Sequence, residues 1–141
     1  MFKLGFIGCG NMATAIMNGA VKSNFLKGEE ICVFDVDTEK SEFLKESLGV
    51  NVLASASDVA ENSYAVVLAI KPQVFPVVLP QIKDSVQRNE TAIISIGAGK
   101  TLNYITSFFE DSTPVVRVMP NINAKVGASM SAVCGNENVS D

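Results

Sequence analysis

Short apolar runs alternate with longer amphipathic segments along this chain, which is the pattern of βα units built around a mostly parallel sheet. Six apolar runs predict strands over 3–8, 31–35, 50–53, 65–70, 92–96 and 115–119. The run 65–70 is apolar throughout, so we expect it at the centre of the sheet. The segment 127–134 is a candidate for one more strand.

Helices are predicted between these strands, because apolar residues recur there at helical spacing. The first follows residue 10, and the second is expected to have Thr38 as its cap and to end at Gly49. Ser57 or Asp58 is expected to cap a brief third helix. Two more are predicted over 74–86 and 101–109. We expect Pro80 to kink or restart the longer of these two.

These elements suffice for a doubly wound α/β fold of the Rossmann type, with a mostly parallel sheet in the order 3-2-1-4-5-6. The 141 residues are expected to form one dinucleotide-binding domain. Right-handed crossovers place the carboxyl ends of all the parallel strands at one edge of the sheet, where such folds bind ligands. The candidate site is therefore predicted at that edge.

A glycine turn follows the first predicted strand and reads G-x-G-x-x-A from Gly8 to Ala13. Gly8 permits the tight turn, Gly10 has no side chain to block a pyrophosphate, and Ala13 lets the helix lie close to the strand. Free backbone N–H groups and the positive end of the helix then bind the diphosphate. The alternative is a turn that serves chain geometry alone.

An acidic residue, Asp35, stands at the end of the second predicted strand, 22 residues beyond Ala13. A carboxylate there is expected to accept hydrogen bonds from the adenosine ribose and to repel the extra phosphate of NADP. The first cation after it is Lys40, so the charges favour NAD(H). The alternative is that Asp35 only caps the next helix.

Three further strand ends are expected at the same edge: Lys71-Pro72-Gln73, Gly97-Ala98-Gly99 and Met119-Pro120-Asn121. Lys71 could donate to a cofactor ribose or could be a solvated loop residue. The small residues after the fifth strand let a ligand approach the backbone closely.

Composition narrows the function classes. A 48% apolar chain has enough material for a packed core, and a net charge of −4 offers no basic field for nucleic acid or an anionic membrane. No apolar run approaches the ~18 residues of a membrane span, and Lys3 interrupts the first run, so no signal peptide is predicted. We expect a cytoplasmic protein with a small-molecule substrate.

The chain has no histidine, which excludes Ser-His-Asp and Cys-His catalysis and makes a zinc site unexpected. Its three cysteines, Cys9, Cys32 and Cys134, have no C-x-x-C spacing and are predicted to be buried, reduced thiols. Cys9 lies in the glycine turn, where a helix N-terminus could lower its pKa.

Four segments together resemble pyrroline-5-carboxylate reductase, the last enzyme of proline synthesis. They are 5–12, 68–73, 95–99 and 117–121. The first is shared with β-hydroxyacid dehydrogenases, whereas the Lys71-Pro72-Gln73 and Arg117-Val118-Met119-Pro120-Asn121 segments are more specific. The resemblance covers the whole chain and the N-terminal half of that family.

The resemblance implies NAD(P)H-dependent reduction of 1-pyrroline-5-carboxylate to L-proline. It assigns diphosphate binding to Ile7, Gly8, Cys9, Gly10, Asn11 and Met12. It assigns the ribose and nicotinamide to Ala69, Ile70, Lys71, Pro72, Gly97 and Ala98, and the side that faces substrate to Met119 and Asn121. The sequence departs from the family at Ile122-Asn123, where Thr-Pro is frequent, and at Asp35-Val36, where many members carry a polar pair for the NADP phosphate.

The family also has a second, helical domain that dimerises and completes the substrate site. We expect the chain to be truncated before that domain, to be inactive and monomeric alone, and to belong to a homo-oligomer when full-length. No catalytic residue is therefore assigned. Two alternatives remain, the cofactor domain of a β-hydroxyacid-type dehydrogenase and a non-catalytic module that senses dinucleotides.

Overall fold

One seven-stranded sheet organises the chain in a computed structural model that describes residues 1–96, 102–110, 112–120 and 131–135. The strands are β1 Leu4–Ile7, β2 Ile31–Phe34, β3 Asn51–Val52, β4 Ala65–Leu68, β5 Ala92–Ser95, β6 Val115–Pro120 and β7 Ser131–Gly135. Their order is β3-β2-β1-β4-β5-β6-β7. The first six are parallel, so the predicted fold class and order are confirmed. The further strand expected in segment 127–134 is β7, which pairs antiparallel with β6.

Among the described residues, five α-helices connect the parallel strands. They are α1 Asn11–Lys22, α2 Thr38–Leu48, α3 Ala56–Glu61, α4 Phe75–Asn89 and α5 Leu102–Thr106. Short 3₁₀ turns at Gly28–Glu30 and Pro72–Val74 precede β2 and α4. Within the described ranges, no helix has the length and apolar character needed to cross a membrane.

The two predicted N-caps were each placed too late in the chain. Asp37, not Thr38, caps α2, since its carboxylate accepts the Glu39 N–H at 3.1 Å. Ser55 caps α3 by accepting the Asp58 N–H at 3.0 Å, because β3 ends at Val52 and the chain turns earlier than the apolar run suggests. The predicted end of α2 is confirmed, because Gly49 has the left-handed conformation with φ 74°.

Of the two outcomes predicted at Pro80, a kink or a restart of the helix, the restart is wrong, because α4 continues through Pro80 as one helix. Pro80 lies just beyond the first turn, whose N–H groups have no partner inside a helix in any case, so only one further bond is lost. Leu79 and Ile82 flank it with no exposed surface and hold the helix against the sheet. Pro76 lies in the first turn, as predicted.

Two apolar cores sandwich the sheet. The core under α3, α4 and α5 includes Phe75, Leu79, Ile93 and Ile105, and the core under α1 and α2 includes Phe6, Met17, Val33 and Leu44. Each fully buried side chain of this size contributes about 1.5–3 kcal/mol of transfer free energy. β4 lies between β1 and β5 with both faces covered, so its predicted central position is confirmed.

Candidate functional site

The two glycines of the first turn serve different purposes. Gly8 has φ +103°, and a Cβ there would lie 2.6 Å from the carbonyl oxygen of Ala69, so the fold itself requires glycine. Gly10 has an extended backbone at the N-cap of α1, and a Cβ there would meet nothing within 4 Å. Chain geometry therefore explains Gly8 but not Gly10, which leaves open space at the start of the helix.

Backbone hydrogen bonds hold this loop between β2 and β4. The Gly8 N–H donates to the Phe34 carbonyl at 2.8 Å, and the Ala69 N–H donates to the Ile7 carbonyl at 2.9 Å. No side chain of the described residues caps α1, and its first turn carries no acidic residue. The positive end of α1 is thus left available to an anion.

Asp35 joins the glycine loop to the loop that begins α2. Its Oδ2 accepts the Cys9 N–H at 2.7 Å, and its Oδ1 accepts the Asp37 N–H at 2.8 Å. Because Asp37 is the residue that caps α2, the alternative in which Asp35 is only a helix cap is wrong.

A cleft of about 540 Å³ opens at the carboxyl edge of the sheet, on the side covered by α3 and α4. It is lined by predicted site residues from three separate strand ends: Ile7, Gly8, Gly10, Asp35, Ala69, Ile70 and Lys71. The structure thus brings together seven of the residues that the sequence singled out. Apolar side chains form much of the opposite wall, here called the α4 wall: Val74 just before α4, and Val77 and Val78 within it.

A second cleft of about 410 Å³ lies on the other side of the glycine loop, between the first turns of α1 and α2. Cys9, Gly10 and Asn11 line it together with Thr14, Asp37, Glu39, Lys40 and Phe43. Gly10 and Lys40 border both clefts. An extended ligand that crosses the edge of the sheet would therefore pass over Gly10.

The remaining predicted site residues are placed less completely. Met12 is half-buried and lines neither cleft. Pro72 begins the 3₁₀ turn before α4, and Met119 pairs with Ala132 between β6 and β7. Gly97, Ala98 and Asn121 lie outside the described residues.

The pKa of the Cys9 thiol is raised, whereas the sequence predicted that it could be lowered. Burial and, as a smaller cause, the Asp35 carboxylate raise the pKa of its thiol to about 12, although Lys40 offsets part of this rise. The predicted lowering of this pKa by the helix end is wrong, because the side chain is 4% exposed and packs into the core under α1. Cys32 is also buried, and burial raises its pKa to about 11. Both are free thiols, as predicted.

Several residues of the clefts were missed from the sequence. Lys40 was noted only as the first cation after Asp35, yet the first turn of α2 brings it to both clefts. Ser55 follows β3 and lines the larger cleft, so the rule that strand ends share one edge could have found it. The α4 wall could have been found from the apolar residues of the predicted helix 74–86, since this helix follows a strand end at the ligand edge.

Two buried polar atoms without hydrogen-bond partners among the described residues lie on β5 and β6. The register places Ile7, Leu68, Ser95 and Arg117 in one row across four strands. The Oγ of Ser95 and the Nε of Arg117 are buried and have no hydrogen-bond partner within the described part of the chain. Among those same residues, no group of three or more acidic or cysteine side chains could hold a metal ion.

The parallel sheet, the open glycine at the start of α1 and the two clefts at the carboxyl edge define a dinucleotide-binding domain of the Rossmann type. Residues 3–99 match the model of a protein family described as NADP oxidoreductase, coenzyme F420-dependent. The chain belongs to this family.

The relatives of the chain include pyrroline-5-carboxylate reductases. The enzyme of that name from Escherichia coli K12 is 34% identical over 134 residues, which are 95% of this chain and 49% of the relative. A solved pyrroline-5-carboxylate reductase from Coxiella burnetii has a TM-score of 0.93 and 32% identity, over 99% of this chain and 51% of its own.

A third similar protein is the pyrroline carboxylate reductase of Plasmodium falciparum, solved with NADP bound. Its TM-score is 0.85 at 28% identity, over 99% of this chain and 50% of its own. The chain spans about half the length of the curated relatives that it matches.

Proposed function

We propose that this chain is the cofactor-binding part of an oxidoreductase that uses NAD(P)H to reduce 1-pyrroline-5-carboxylate to L-proline. The observation that carries the proposal is the open space at Gly10, between two clefts at the edge where a Rossmann-type fold binds its dinucleotide. The similarity to proteins named pyrroline-5-carboxylate reductase over 95% of the chain supports the choice of substrate.

The residues fit a dinucleotide in the following way. The N–H groups at the start of α1 bind the diphosphate, with Gly10 giving it access. The apolar α4 wall with Val74 and Val77 covers one side of the larger cleft. Lys71 is exposed where that cleft meets the end of β4 and is suited to donate to a ribose hydroxyl.

Bound NAD(P)H supplies the hydride that reduces the C=N bond of the imine. This chain contributes binding and orientation, and the resemblance to pyrroline-5-carboxylate reductase is the support for assigning a role towards the substrate to Met119 and Asn121. We propose that the catalytic and substrate-carboxylate groups lie in a second, helical domain, which also makes the protein a homo-oligomer. The buried free thiols Cys9 and Cys32 suit the cytoplasmic location that we propose.

Two opposite charges at the larger cleft bear on the choice of cofactor. The Asp35 carboxylate disfavours a 2′-phosphate and is the basis for a preference for NADH. The Lys40 ammonium borders the same cleft and would pair with that phosphate. A solved relative holds NADP. We therefore propose that the cleft accepts both NADH and NADPH.

The test is a substrate comparison on the native protein, isolated at the length that its source produces. Reduced cofactor is offered with 1-pyrroline-5-carboxylate, and oxidised cofactor is offered with a set of β-hydroxyacids. We expect oxidation of NADPH or NADH by the imine alone. Turnover of a β-hydroxyacid instead would assign the chain to that class of dehydrogenase, and cofactor binding without any turnover would favour a sensing module.

A further inference from the structure

We propose that Asp35 is a positioning residue that braces the glycine loop for the diphosphate, so that both NADH and NADPH depend on it. This inference rests on the proposed function, because it concerns how the same cleft holds its dinucleotide. It differs from the role expected from sequence, in which the carboxylate selects NADH by bonding the ribose and repelling a 2′-phosphate.

The carboxylate is occupied on both sides by backbone donors. Its Oδ2 accepts the Cys9 N–H at 2.7 Å across 26 positions of sequence, and its Oδ1 accepts the Asp37 N–H at 2.8 Å. Asp37 in turn accepts the Glu39 N–H, where α2 begins. A continuous series of charge-assisted hydrogen bonds therefore runs from the glycine loop through Asp35 to the start of α2.

The hydrogen bond from Cys9 to Asp35 joins the middle of the loop to the start of α2. The Cys9 side chain is also buried in the core, and the Cys9 carbonyl accepts the Thr14 hydroxyl at 3.4 Å. The Gly8 N–H is already fixed to the Phe34 carbonyl, and Gly10 belongs to the helical pattern through the Thr14 N–H that its carbonyl accepts. Between them, the Cys9 N–H reaches outside the loop only to Asp35 among the described residues. This bond is therefore the link that fixes the loop, and with it Gly10 at the border of both clefts, relative to the start of α2.

The same geometry weakens the case for Asp35 as a discriminator. Two backbone N–H dipoles partly compensate its negative charge. The exposed Lys40 ammonium borders the cleft that Asp35 lines, and it sits in the first turn of α2, where the helix end favours an anion close by. The electrostatic potential at a 2′-phosphate therefore depends on several groups. The hydrogen bond that positions the glycine loop depends on Asp35 alone.

The two roles predict opposite outcomes for Asp35→Ala. Loss of a brace weakens NADH and NADPH by the same factor, about tenfold or more, and leaves their ratio unchanged. If Asp35 instead selects between the cofactors, its loss weakens the binding of NADH and strengthens the binding of NADPH. Asp35→Asn keeps one acceptor oxygen in the same place, so under the brace it restores part of the affinity for both cofactors.

Asp37→Asn is the matched charge control. It removes one negative charge two residues away and keeps an N-cap side chain that still accepts the Glu39 N–H. Any gain in NADPH affinity from charge alone appears in this variant as well, so it can be subtracted from the effect at Asp35. Thermal unfolding of each variant reports whether the fold is intact.

The dissociation constants for both cofactors are measured on the chain and its three variants. An equal loss for both cofactors in Asp35→Ala, with partial recovery in Asp35→Asn, supports the brace. Opposite shifts for the two cofactors, or no shift in a folded Asp35→Ala, overturn it. If the unsubstituted chain binds neither cofactor, the proposed function itself fails, and this outcome is distinct because it precedes any substitution.

Discussion

Substitution of Gly10 by alanine separates the demands of the fold from those of the ligand. The added Cβ would meet nothing within 4 Å, and the extended backbone of Gly10 suits any residue. Alanine is a poorer N-cap than glycine, which costs about 1 kcal/mol or less. The free energy of unfolding should therefore change little. The methyl group, however, stands where both clefts meet at the start of α1.

The expected loss of affinity follows from the hydrogen bonds that the methyl group displaces. One charge-assisted bond between a phosphate oxygen and a backbone N–H contributes about 1.5–3 kcal/mol, which corresponds to roughly 10- to 150-fold in the dissociation constant. Gly10→Ala should lose at least that one bond for both NADH and NADPH. The loss should appear in a titration that follows nicotinamide fluorescence, a signal that no tryptophan of the chain complicates.

Gly19→Ala is the matched control, because it makes the same chemical change in the same helix. Gly19 lies on the exposed side of α1, its added Cβ would also meet nothing within 4 Å, and it lines neither cleft. It should gain about 0.5–1 kcal/mol of stability and keep its affinity. If Gly10→Ala binds both cofactors as tightly as Gly19→Ala does, the placement of the diphosphate at this loop is wrong.

Three further outcomes are expected. Gly8→Ala forces a side chain into a positive φ and against the Ala69 carbonyl, so calorimetry should show a free energy of unfolding lower by about 2 kcal/mol or more. A melting temperature within error of that of the unsubstituted chain would contradict this. The rise in the Cys9 pKa from its ordinary 9.0 to about 12 lowers the thiolate fraction at neutral pH about a thousandfold. Alkylation of Cys9, followed by peptide mass spectrometry, should therefore be far slower in the native than in the urea-unfolded chain, and equal rates would refute the raised pKa. The hydrogen bond from Arg88 lowers the pKa of Glu61 in the folded chain below its ordinary 4.5, so this pair stabilises the fold above about pH 4.5. The contribution is lost as the pH falls through the lowered pKa. In Glu61→Gln the melting temperature should therefore depend less on pH at the acid end, and an unchanged slope would count against the pair.

The strand order and the open edge were predictable because they depend on local patterns. Apolar runs of strand length, interrupted by helical spacing, leave few arrangements once crossovers are right-handed. Four of the predicted residues that meet in the larger cleft, Gly8, Gly10, Asp35 and Lys71, follow from one rule, that parallel strands end at the same edge. That rule needs no knowledge of side-chain contacts. The other three, Ile7, Ala69 and Ile70, were predicted from the resemblance to pyrroline-5-carboxylate reductase.

What could not be predicted depends on contacts between distant parts of the chain. The bond from Cys9 to Asp35 spans 26 positions and exists only because β1 and β2 are neighbours in register. Burial of the Cys9 side chain and, as a smaller cause, the Asp35 carboxylate raise the pKa of Cys9, which a helix end alone would have lowered. Lys40 lies in the first turn of α2 and borders both clefts. The N-cap of this helix is Asp37, one residue earlier than predicted, and such a shift is beyond the resolution of sequence patterns.

The central claim is that this edge of the sheet binds a nicotinamide dinucleotide, and its most direct test is a titration of the purified chain with NADH and, separately, with NADPH. Nicotinamide fluorescence is followed at fixed salt, with Gly10→Ala titrated in parallel. The account predicts saturable binding of both cofactors and a clear loss of both in the variant. If the folded chain shows saturable binding of neither NADH nor NADPH, the claim is contradicted.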